Sequence, residues 1–330
     1  MIGILGNGSM TEAARPEMKL RLARAEEIAR DIHLFEFRDP QGGELPPFEA
    51  GAHVAIRVPN GLLRKFSLCN DPAERDRYVV AVKREATGKG GSISLIDEAK
   101  VGTELTVSAP VNDFALARNA QNFVFVAGGI GITPILAMVR TLRKIEGKQF
   151  KLYYCTRSPE FTAFRDELSV PELAGSVTIH HDNGDPAHAL DLRPLLAERK
   201  NRAHLYCCGP LGLMHAVRDM TSAWTPTSVH MEAFSEPERV KADDHPFTVR
   251  LAKSGETITV PVGTTILEAM RAAGQEVPSS CETGTCGTCR VKLLSGDVDH
   301  RDLFLPEQER ASNIMICVSR ARSDEIVIDR

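Results

Sequence analysis

Four cysteines near the C-terminus have the type and spacing of iron–sulfur ligands. Cys281, Cys286 and Cys289 form a C-x4-C-x2-C run, and Cys317 follows later in the chain. Two irons with bridging sulfides need four thiolates, and this spacing is typical of plant-type [2Fe–2S] sites. Zinc sites usually present short paired knuckles instead, and a disulfide framework would need an oxidising compartment. The sequence therefore predicts a [2Fe–2S] cluster held by all four thiolates.

Two glycines inside the cysteine run fit a loop that wraps a cluster closely. Gly284 and Gly287 lack a Cβ, so they can adopt positive φ and bring backbone N–H groups near the sulfides. Such groups stabilise the negative charge of the cluster. We therefore expect the loop to turn through positive φ at these two positions.

A glycine-rich segment in the middle of the chain could bind a dinucleotide. Gly128, Gly129 and Gly131 follow an apolar, strand-like run and precede a helical pattern. Backbone N–H groups at such a helix start can meet a pyrophosphate. Because the spacing is not G-x-G-x-x-G, a simple packing turn stays open as an alternative. The CGP sequence at 208–210 ends a second strand-like run, and we expect both segments to face one crevice, since ligands gather at strand carboxyl ends.

An earlier strand-like segment carries groups that suit a flavin. Arg64 can pair with a phosphate, Phe66 can lie against a ring and Ser67 can bond a ring heteroatom. Alternation puts Arg64 and Phe66 on one side of a strand, although an ordinary strand with a core Phe and a surface Arg would look the same. The sequence GKGGSIS at 88–94, which includes Lys89, could form an anion nest. A nest for a terminal phosphate, with no adenine platform evident, predicts FMN.

Composition limits the classes of function and the compartment. The chain has 330 residues, a net charge of −4 and no basic run, which gives no support for nucleic-acid binding. Its start lacks the cationic and apolar regions of a secretory signal. The most apolar stretch, 123–139, contains three glycines and a proline, so it does not predict a membrane span. Free thiols beside a cluster indicate a reducing interior, and we expect a cytoplasmic protein without membrane partners.

The pattern of predicted elements divides the chain into three domains and a linker. Short strand-like runs with turn residues between them predict an antiparallel β-barrel over 17–115. Strands alternating with helices predict an open parallel α/β domain over 116–235. The segment 236–245 is charged and poor in apolar residues, which predicts a solvated linker. A hairpin, a helix and the cysteine loop predict a small α+β ferredoxin domain over 246–330.

Taken in order, these motifs resemble the reductases of class IA Rieske oxygenases. The motifs that carry the resemblance are Arg64-x-Phe66-Ser67, Ala81-Val82-Lys83, Gly90-Gly91-Ser92, GGIGITP at 128–134, Cys208-Gly209-Pro210, Glu232-Ala233-Phe234 and the four cysteines. The likeness extends from about residue 20 to the last residue. It implies an FMN-binding barrel, an NAD-binding domain and a C-terminal plant-type ferredoxin domain of the β-grasp fold, with NADH as the electron donor.

The resemblance also implies roles for individual residues. The residues expected to hold the flavin and its phosphate are Arg64, Phe66, Ser67, Ala81, Val82, Lys83, Lys89, Gly90, Gly91 and Ser92. The residues expected to contact the nicotinamide nucleotide are Gly128, Gly129, Gly131, Ser158, Cys208, Gly209 and Pro210. Thr133 would approach the flavin from the NAD-binding domain, Phe234 would pack near the isoalloxazine, and Cys208 would lie near the site of hydride transfer. These three are the predicted catalytic residues.

Two positions depart from the family's pattern. Phe66 stands where the family usually has a tyrosine, so a phenolic hydroxyl is absent. Ser158 stands where an acidic residue is expected, with Arg157 beside it. Without that carboxylate, we expect the preference for NADH over NADPH to be weaker but not reversed.

The implied function is electron transfer from NADH through FMN and the cluster to a Rieske-type terminal oxygenase. The expected oxygenase acts on phthalate or a related aromatic carboxylate. Other Rieske monooxygenases, such as aryl-ether demethylases and quaternary-amine oxygenases, would use a reductase with the same motifs. A redox-sensing module is the alternative from another class. Nothing in the sequence demands an oligomer, so we expect a monomer.

Overall fold

The computed structural model describes residues 16–197, 200–234 and 240–330. Their contacts divide the chain into two compact units, one within Ala14–Glu232 and the other within Ala233–Arg330. Over those three ranges, no helix is both long enough and apolar enough to cross a membrane. Part of the predicted linker, 236–239, lies outside the described residues.

The first unit begins with an antiparallel barrel, as the turn-rich sequence predicts. Its six strands have the order β4-β3-β6-β1-β2-β5. They are β1 (Glu17–Ala29), β2 (Ile32–Arg38), β3 (His53–Arg57), β4 (Leu63–Ser67), β5 (Tyr78–Lys83) and β6 (Glu104–Ser108). A bridge between Leu68 and Val80 joins the two edge strands and closes the sheet. Helix α1 (Gly91–Glu98) follows β5.

Strand β1 is the longest strand of the barrel, and its sequence contains no apolar run. Its buried positions include Leu20 and Leu22, whereas Lys19 and Arg21 are exposed. Charged residues at alternate positions hide the strand in a sequence read for apolar runs. Period-two alternation is nevertheless the pattern of a strand with one buried face.

The first unit continues with a parallel sheet covered by helices. The sheet order is β11-β10-β7-β8-β9, and every neighbouring pair is parallel. The strands are β7 (Asn122–Gly128), β8 (Gln149–Thr156), β9 (Val177–His181), β10 (Ala203–Cys208) and β11 (Val229–Glu232). The helices are α2 (Ile132–Leu142), α3 (Arg165–Leu168), α4 (Arg193–Ala197) and α5 (Leu211–Met220). The strand order reverses between β7 and β10, which makes this point the expected ligand crevice.

The barrel and the parallel sheet share one hydrophobic core. Cys69, Val79 and Ala81 of the barrel are buried together with Ile132 and Ile135 of α2. Helix α2 therefore packs against the outer face of the barrel beside β5. This packing brings the predicted flavin strands next to the predicted nicotinamide helix.

The second unit has the strand order of a β-grasp fold. Its main sheet has the order β13-β12-β18-β14-β16, with β12 and β18 parallel. The strands are β12 (Phe247–Leu251), β13 (Thr257–Val260), β14 (Arg290–Ser295), β15 (Val298–Asp299), β16 (Asn313–Met315), β17 (Arg320–Ala321) and β18 (Glu325–Ile328). The helices are α6 (Ile266–Ala272) and α7 (Glu307–Arg310). Thr265 and Glu268 form a capping box that starts α6, whose buried face packs on the sheet.

A buried ion network holds the chain just before β12, where a solvated linker is predicted. Arg301 forms ion pairs with Asp244 and with Asp299, and Lys241 also pairs with Asp299. The side chains of Asp244 and Arg301 are only 5% and 6% exposed. At Asp244 the structure therefore differs from the prediction, because buried partners on later elements hold a charge that looked solvated.

Candidate flavin, nicotinamide and cluster sites

The four predicted cluster ligands lie together in the second unit as two pairs. Cys286 lies close enough to Cys281, and Cys289 close enough to Cys317, to shift the pKa of the neighbouring thiol. The contact within the first pair lowers the pKa of the Cys281 thiol, against its burial, and raises that of Cys286. Among the described residues no three His, Cys, Asp or Glu side chains converge on one metal-ion position. Two thiol pairs fit two irons, each completed to four sulfur ligands by bridging sulfides.

Glycines turn the cysteine loop as the sequence predicts. Gly284 has φ +76° and Gly287 has φ +84°. A Cβ on Gly287 would lie 2.3 Å from the ring of Phe304, which covers the loop. The Asp302 carboxylate accepts hydrogen bonds from the backbone N–H groups of Phe304 and Leu305, at 3.1 and 2.6 Å. The cysteine loop therefore packs closely against the segment that contains Asp302 and Phe304. A side chain at Gly284 or Gly287 would displace the loop from this segment.

The two glycine segments of the parallel sheet meet at one crevice, which confirms their predicted juxtaposition. A Cβ on Gly131 would lie 2.1 Å from the carbonyl oxygen of Cys208, and a Cβ on Gly209 would lie 2.9 Å from the Cα of Gly128. Gly131 and Pro210 are the N-cap residues of α2 and α5, and no side chain caps either helix. The glycines let the backbones of the two segments pack closely, and two helix starts without side-chain caps at one crevice suit a pyrophosphate.

Arg64 of β4 lies against the start of helix α1 and has a buried donor atom without a partner. Its Nη1 donates to the carbonyl oxygen of Leu63 at 2.8 Å, whereas its Nη2 is buried without a hydrogen-bond partner. A Cβ on Gly91, the first residue of α1, would lie 2.6 Å from the Arg64 Nε. Gly90 precedes it in a left-handed conformation with no side-chain cap, and Lys89 is exposed beside it. A buried cationic donor beside an uncapped helix start fits a phosphate.

The other residues predicted on β4 divide between its two faces. Arg64 and Phe66 are opposite Ile56 and Val54 of β3, so they share a face, as alternation predicts. Ser67 lies on the other face and is buried. Its hydroxyl donates a hydrogen bond to the carboxylate of Glu232, in strand β11 of the parallel sheet.

The remaining residues of the predicted flavin site have different surroundings. Val82 is buried in the barrel core, whereas Ala81 is buried in the core shared with α2. Lys83 is exposed and forms an ion pair with Glu85 at 3.5 Å. Ser92 accepts a hydrogen bond from the backbone N–H of Glu85 at 3.1 Å. Val82 could therefore meet a ligand only through its backbone.

Glu232 is a site residue to which sequence reasoning assigned no role. Ser67 Oγ donates to Glu232 Oε2 at 3.2 Å across 165 positions of sequence. Burial, with the Glu232 carboxylate adding to it, raises the pKa of the Cys208 thiol well above its ordinary value. The barrel strand, the last strand of the sheet and the crevice cysteine thus meet at one place. Glu232 belongs to a motif of the family resemblance, but a glutamate that ends a strand carries no sequence signal of burial or of a partner.

The other two predicted catalytic residues have different outcomes. Thr133 is 1% exposed and lies in the first turn of α2, where its hydroxyl donates to the carbonyl oxygen of Ile130 at 3.0 Å. It lies beside the crevice, although its hydroxyl already has a partner. Phe234 is 46% exposed and belongs to the second unit. Its place beside a flavin stays a prediction.

Ser158 lies in the loop that follows β8 and is held by neighbouring polar groups. Its carbonyl oxygen accepts a hydrogen bond from the Thr162 hydroxyl at 3.0 Å. The backbone N–H of Glu160 and the Ser158 hydroxyl both hold the pKa of the Glu160 carboxyl below its ordinary value. An acidic side chain is therefore present two positions after Ser158, at the carboxyl end of β8.

Comparisons with known proteins agree with the order of these sites. Three family models match: "Oxidoreductase FAD-binding domain" over 19–116, "Oxidoreductase NAD-binding domain" over 125–219 and "2Fe-2S iron-sulfur cluster binding domain" over 249–322. The predicted flavin, NAD-binding and cluster domains are thus confirmed in kind and in order.

Two relatives and one solved structure match nearly the whole chain. It is 53% identical to the phthalate 4,5-dioxygenase oxygenase reductase subunit of Pseudomonas putida, over 94% of this chain and 96% of the relative. It is 52% identical to the phthalate dioxygenase reductase of Burkholderia cepacia, over 94% of this chain and 97% of the relative. A solved structure of phthalate dioxygenase reductase matches with a TM-score of 0.69 and 51% identity, over 95% of this chain and 98% of that one.

Proposed function

The chain belongs to the family of phthalate dioxygenase reductases, and we propose that it carries electrons from NADH to a Rieske-type terminal oxygenase. The substrate proposed for that oxygenase is phthalate or a related aromatic carboxylate. The observation that carries the proposal is the Ser67–Glu232 hydrogen bond beside Cys208. It joins the end of a flavin strand to the crevice where a nicotinamide would enter.

FMN is the flavin that the residues near Arg64 fit. The unused Nη2 of Arg64 and the uncapped start of α1 face the same place. FMN ends in a phosphate, so most of the charge of this ligand lies at the end where Arg64 and the start of α1 would contact it. The test is to denature the purified holoenzyme and to separate the released flavin on a column. FAD as the major species would contradict this assignment.

The residues at the crevice position and shield the reacting groups. When bound, the flavin and the cluster supply the exchange between two-electron and one-electron transfer. Glu232 fixes Ser67 by accepting its hydrogen bond, and both lie at the junction of β4 and β11. Cys208 is fully buried and stays a neutral thiol, because burial and Glu232 both raise its pKa. Thr133 lies beside the same crevice in the first turn of α2, where its hydroxyl is held by the carbonyl oxygen of Ile130.

The cluster ligands and the compartment complete the proposal. Cys281, Cys286, Cys289 and Cys317 would hold the irons, since their thiols are already paired. All eight cysteines of the chain fall within the described residues, and the four that are not proposed cluster ligands, Cys69, Cys155, Cys207 and Cys208, are free thiols. Free thiols persist in a reducing interior, which supports a cytoplasmic protein. We propose that it acts as a monomer, which sedimentation would check.

The decisive experiment couples the chain to an oxygenase. The purified holoenzyme, NADH and a phthalate oxygenase should form dihydroxylated product at a rate that depends on the reductase. A Cys289→Ser variant should lose iron and product formation while it still oxidises NADH with a dye acceptor. A Cys155→Ser variant, which removes a half-buried thiol of the parallel sheet, should match the unchanged chain. Product formation by Cys289→Ser at the unchanged rate would show that the cluster does not lie on the electron path. If the chain instead supported only a demethylase or an amine oxygenase, those alternative functions would be favoured.

A further inference from the structure

Arg140 of helix α2 uses three donors, one to the barrel and two to Glu167 of helix α3. Its Nη1 donates to the carbonyl oxygen of Cys69 at 2.6 Å. Its Nε and Nη2 donate to the two carboxylate oxygens of Glu167 at 2.8 and 2.5 Å. The side chains of the ion pair are 23% and 33% exposed. Because the guanidinium is planar and donates in fixed directions, a lysine could not make all three bonds.

Cys69 is attached to both strands of the proposed flavin site. It follows shortly after Ser67, the last residue of β4. Its backbone N–H donates to the carbonyl oxygen of Val79 in β5 at 2.9 Å, and its thiol donates to the same oxygen at 3.3 Å. A contact that holds the Cys69 carbonyl therefore also restrains the positions of β4 and β5.

Helix α2 connects Arg140 to the nicotinamide crevice. Its first turn contains Thr133 and follows Gly131, which lies against Cys208. A rise of about 1.5 Å per residue puts Arg140 about 10 Å along the helix from Thr133. Lys144, just beyond the helix, forms an ion pair with Asp71 in the loop that contains Cys69. One short helix thus has the crevice at its start and the barrel loop at its end.

We propose that Arg140 is a positioning residue that sets the distance between the flavin strands and the nicotinamide crevice, a role that rests on the function proposed above. By holding the Cys69 carbonyl, it fixes β4 and β5 relative to α2. When both are bound, NADH would supply a hydride to the flavin across the gap between these elements, so that NADH is oxidised and the flavin is reduced. Arg140 touches none of the reacting groups and acts through Cys69 and α2.

The test compares Arg140→Met and Arg140→Lys with Arg143→Met, which removes an exposed arginine at the end of the same helix. In the full-length holoenzyme, hydrogen–deuterium exchange in the peptide that contains Cys69 should be about tenfold faster in Arg140→Met, since a charge-assisted hydrogen bond is lost. Single-turnover reduction of the flavin by NADH should slow about 10- to 100-fold, because misplacement by about 1 Å has effects of this size. The Kd of NADH should stay within about twofold. Arg140→Lys should lie between.

Several results would overturn this role. Exchange or flavin reduction in both Arg140 variants at the level of Arg143→Met would show that the barrel keeps its position without the arginine. A weaker Kd with an unchanged rate of reduction would assign Arg140 to cofactor binding instead. If Arg140→Met does not fold, Arg140→Lys decides by the same two measurements. An unmutated holoenzyme whose flavin is not reduced by NADH would contradict the proposed function itself.

Discussion

Replacing Arg64 by methionine should weaken FMN binding and leave riboflavin binding almost unchanged. Methionine keeps much of the length and apolar contact of the side chain but removes the guanidinium. The phosphate then loses the donor that the buried Nη2 would supply, an atom that has no protein partner. Riboflavin has the same ring and ribityl chain without the phosphate, so it isolates this one interaction.

The magnitude follows from the number of donors that Arg64 has left. Nη1 is already used by the carbonyl oxygen of Leu63, so the loss is counted as one charge-assisted bond from Nη2. Such a bond contributes about 1.5–3 kcal/mol, which corresponds to about 10- to 140-fold in Kd. The start of α1 still attracts the phosphate and contributes up to about 1 kcal/mol, so binding should weaken without being abolished.

The assay is a fluorescence titration of flavin-depleted protein with FMN and, separately, with riboflavin. Arg57→Met is the matched control, because Arg57 lies on the neighbouring strand β3 and is exposed. It should leave both Kd values unchanged. An equal loss of FMN and riboflavin affinity in Arg64→Met would show that the arginine shapes the barrel and does not bind the phosphate. An FMN Kd within about twofold of the unchanged protein would refute the phosphate site altogether.

Three further predictions concern the nucleotide, the cluster loop and the dependence of stability on pH. Ser158→Asp should raise the ratio of kcat/KM for NADH over NADPH, because a carboxylate accepts ribose hydroxyls and repels a 2′-phosphate; an unchanged ratio would place Ser158 away from the ribose. Gly287→Ala should lower the iron content per chain, because the added Cβ would clash with the ring of Phe304. Gly255→Ala should keep the full iron content, because Gly255 also has positive φ but has open space around it. Burial and a neighbouring histidine lower the pKa of His230 from 6.5 to about 4, so the unfolded chain binds the extra proton and stability is lost as pH falls from 6.5 towards 4. Urea unfolding should show about 2 kcal/mol less stability at pH 5 than at pH 7.5 from this group, a difference that His230→Gln removes and that a change of the exposed His215 does not.

The cluster loop and the order of the domains could be predicted from the sequence alone. Three cluster ligands come from one loop, so their spacing is local, and Gly284 and Gly287 mark the turns that the loop must make. Runs of strands, and strands alternating with helices, likewise depend on residues close in sequence. The glycine segments at 128–131 and 208–210 could be brought together by a general rule, since strand carboxyl ends share one edge of a parallel sheet.

The contacts that complete the sites depend on packing between distant elements. The bond from Ser67 to Glu232 spans 165 positions and that from Arg140 to Cys69 spans 71. A periodic pattern shows which face of a strand is buried but not which side chain lies opposite it. Asp244 shows the same limit, because its charge looks solvated in sequence and becomes buried once Arg301 packs over it. The chain thus encodes ligands and turns locally, whereas the partners of its buried polar groups are decided only when the sheets and helices pack.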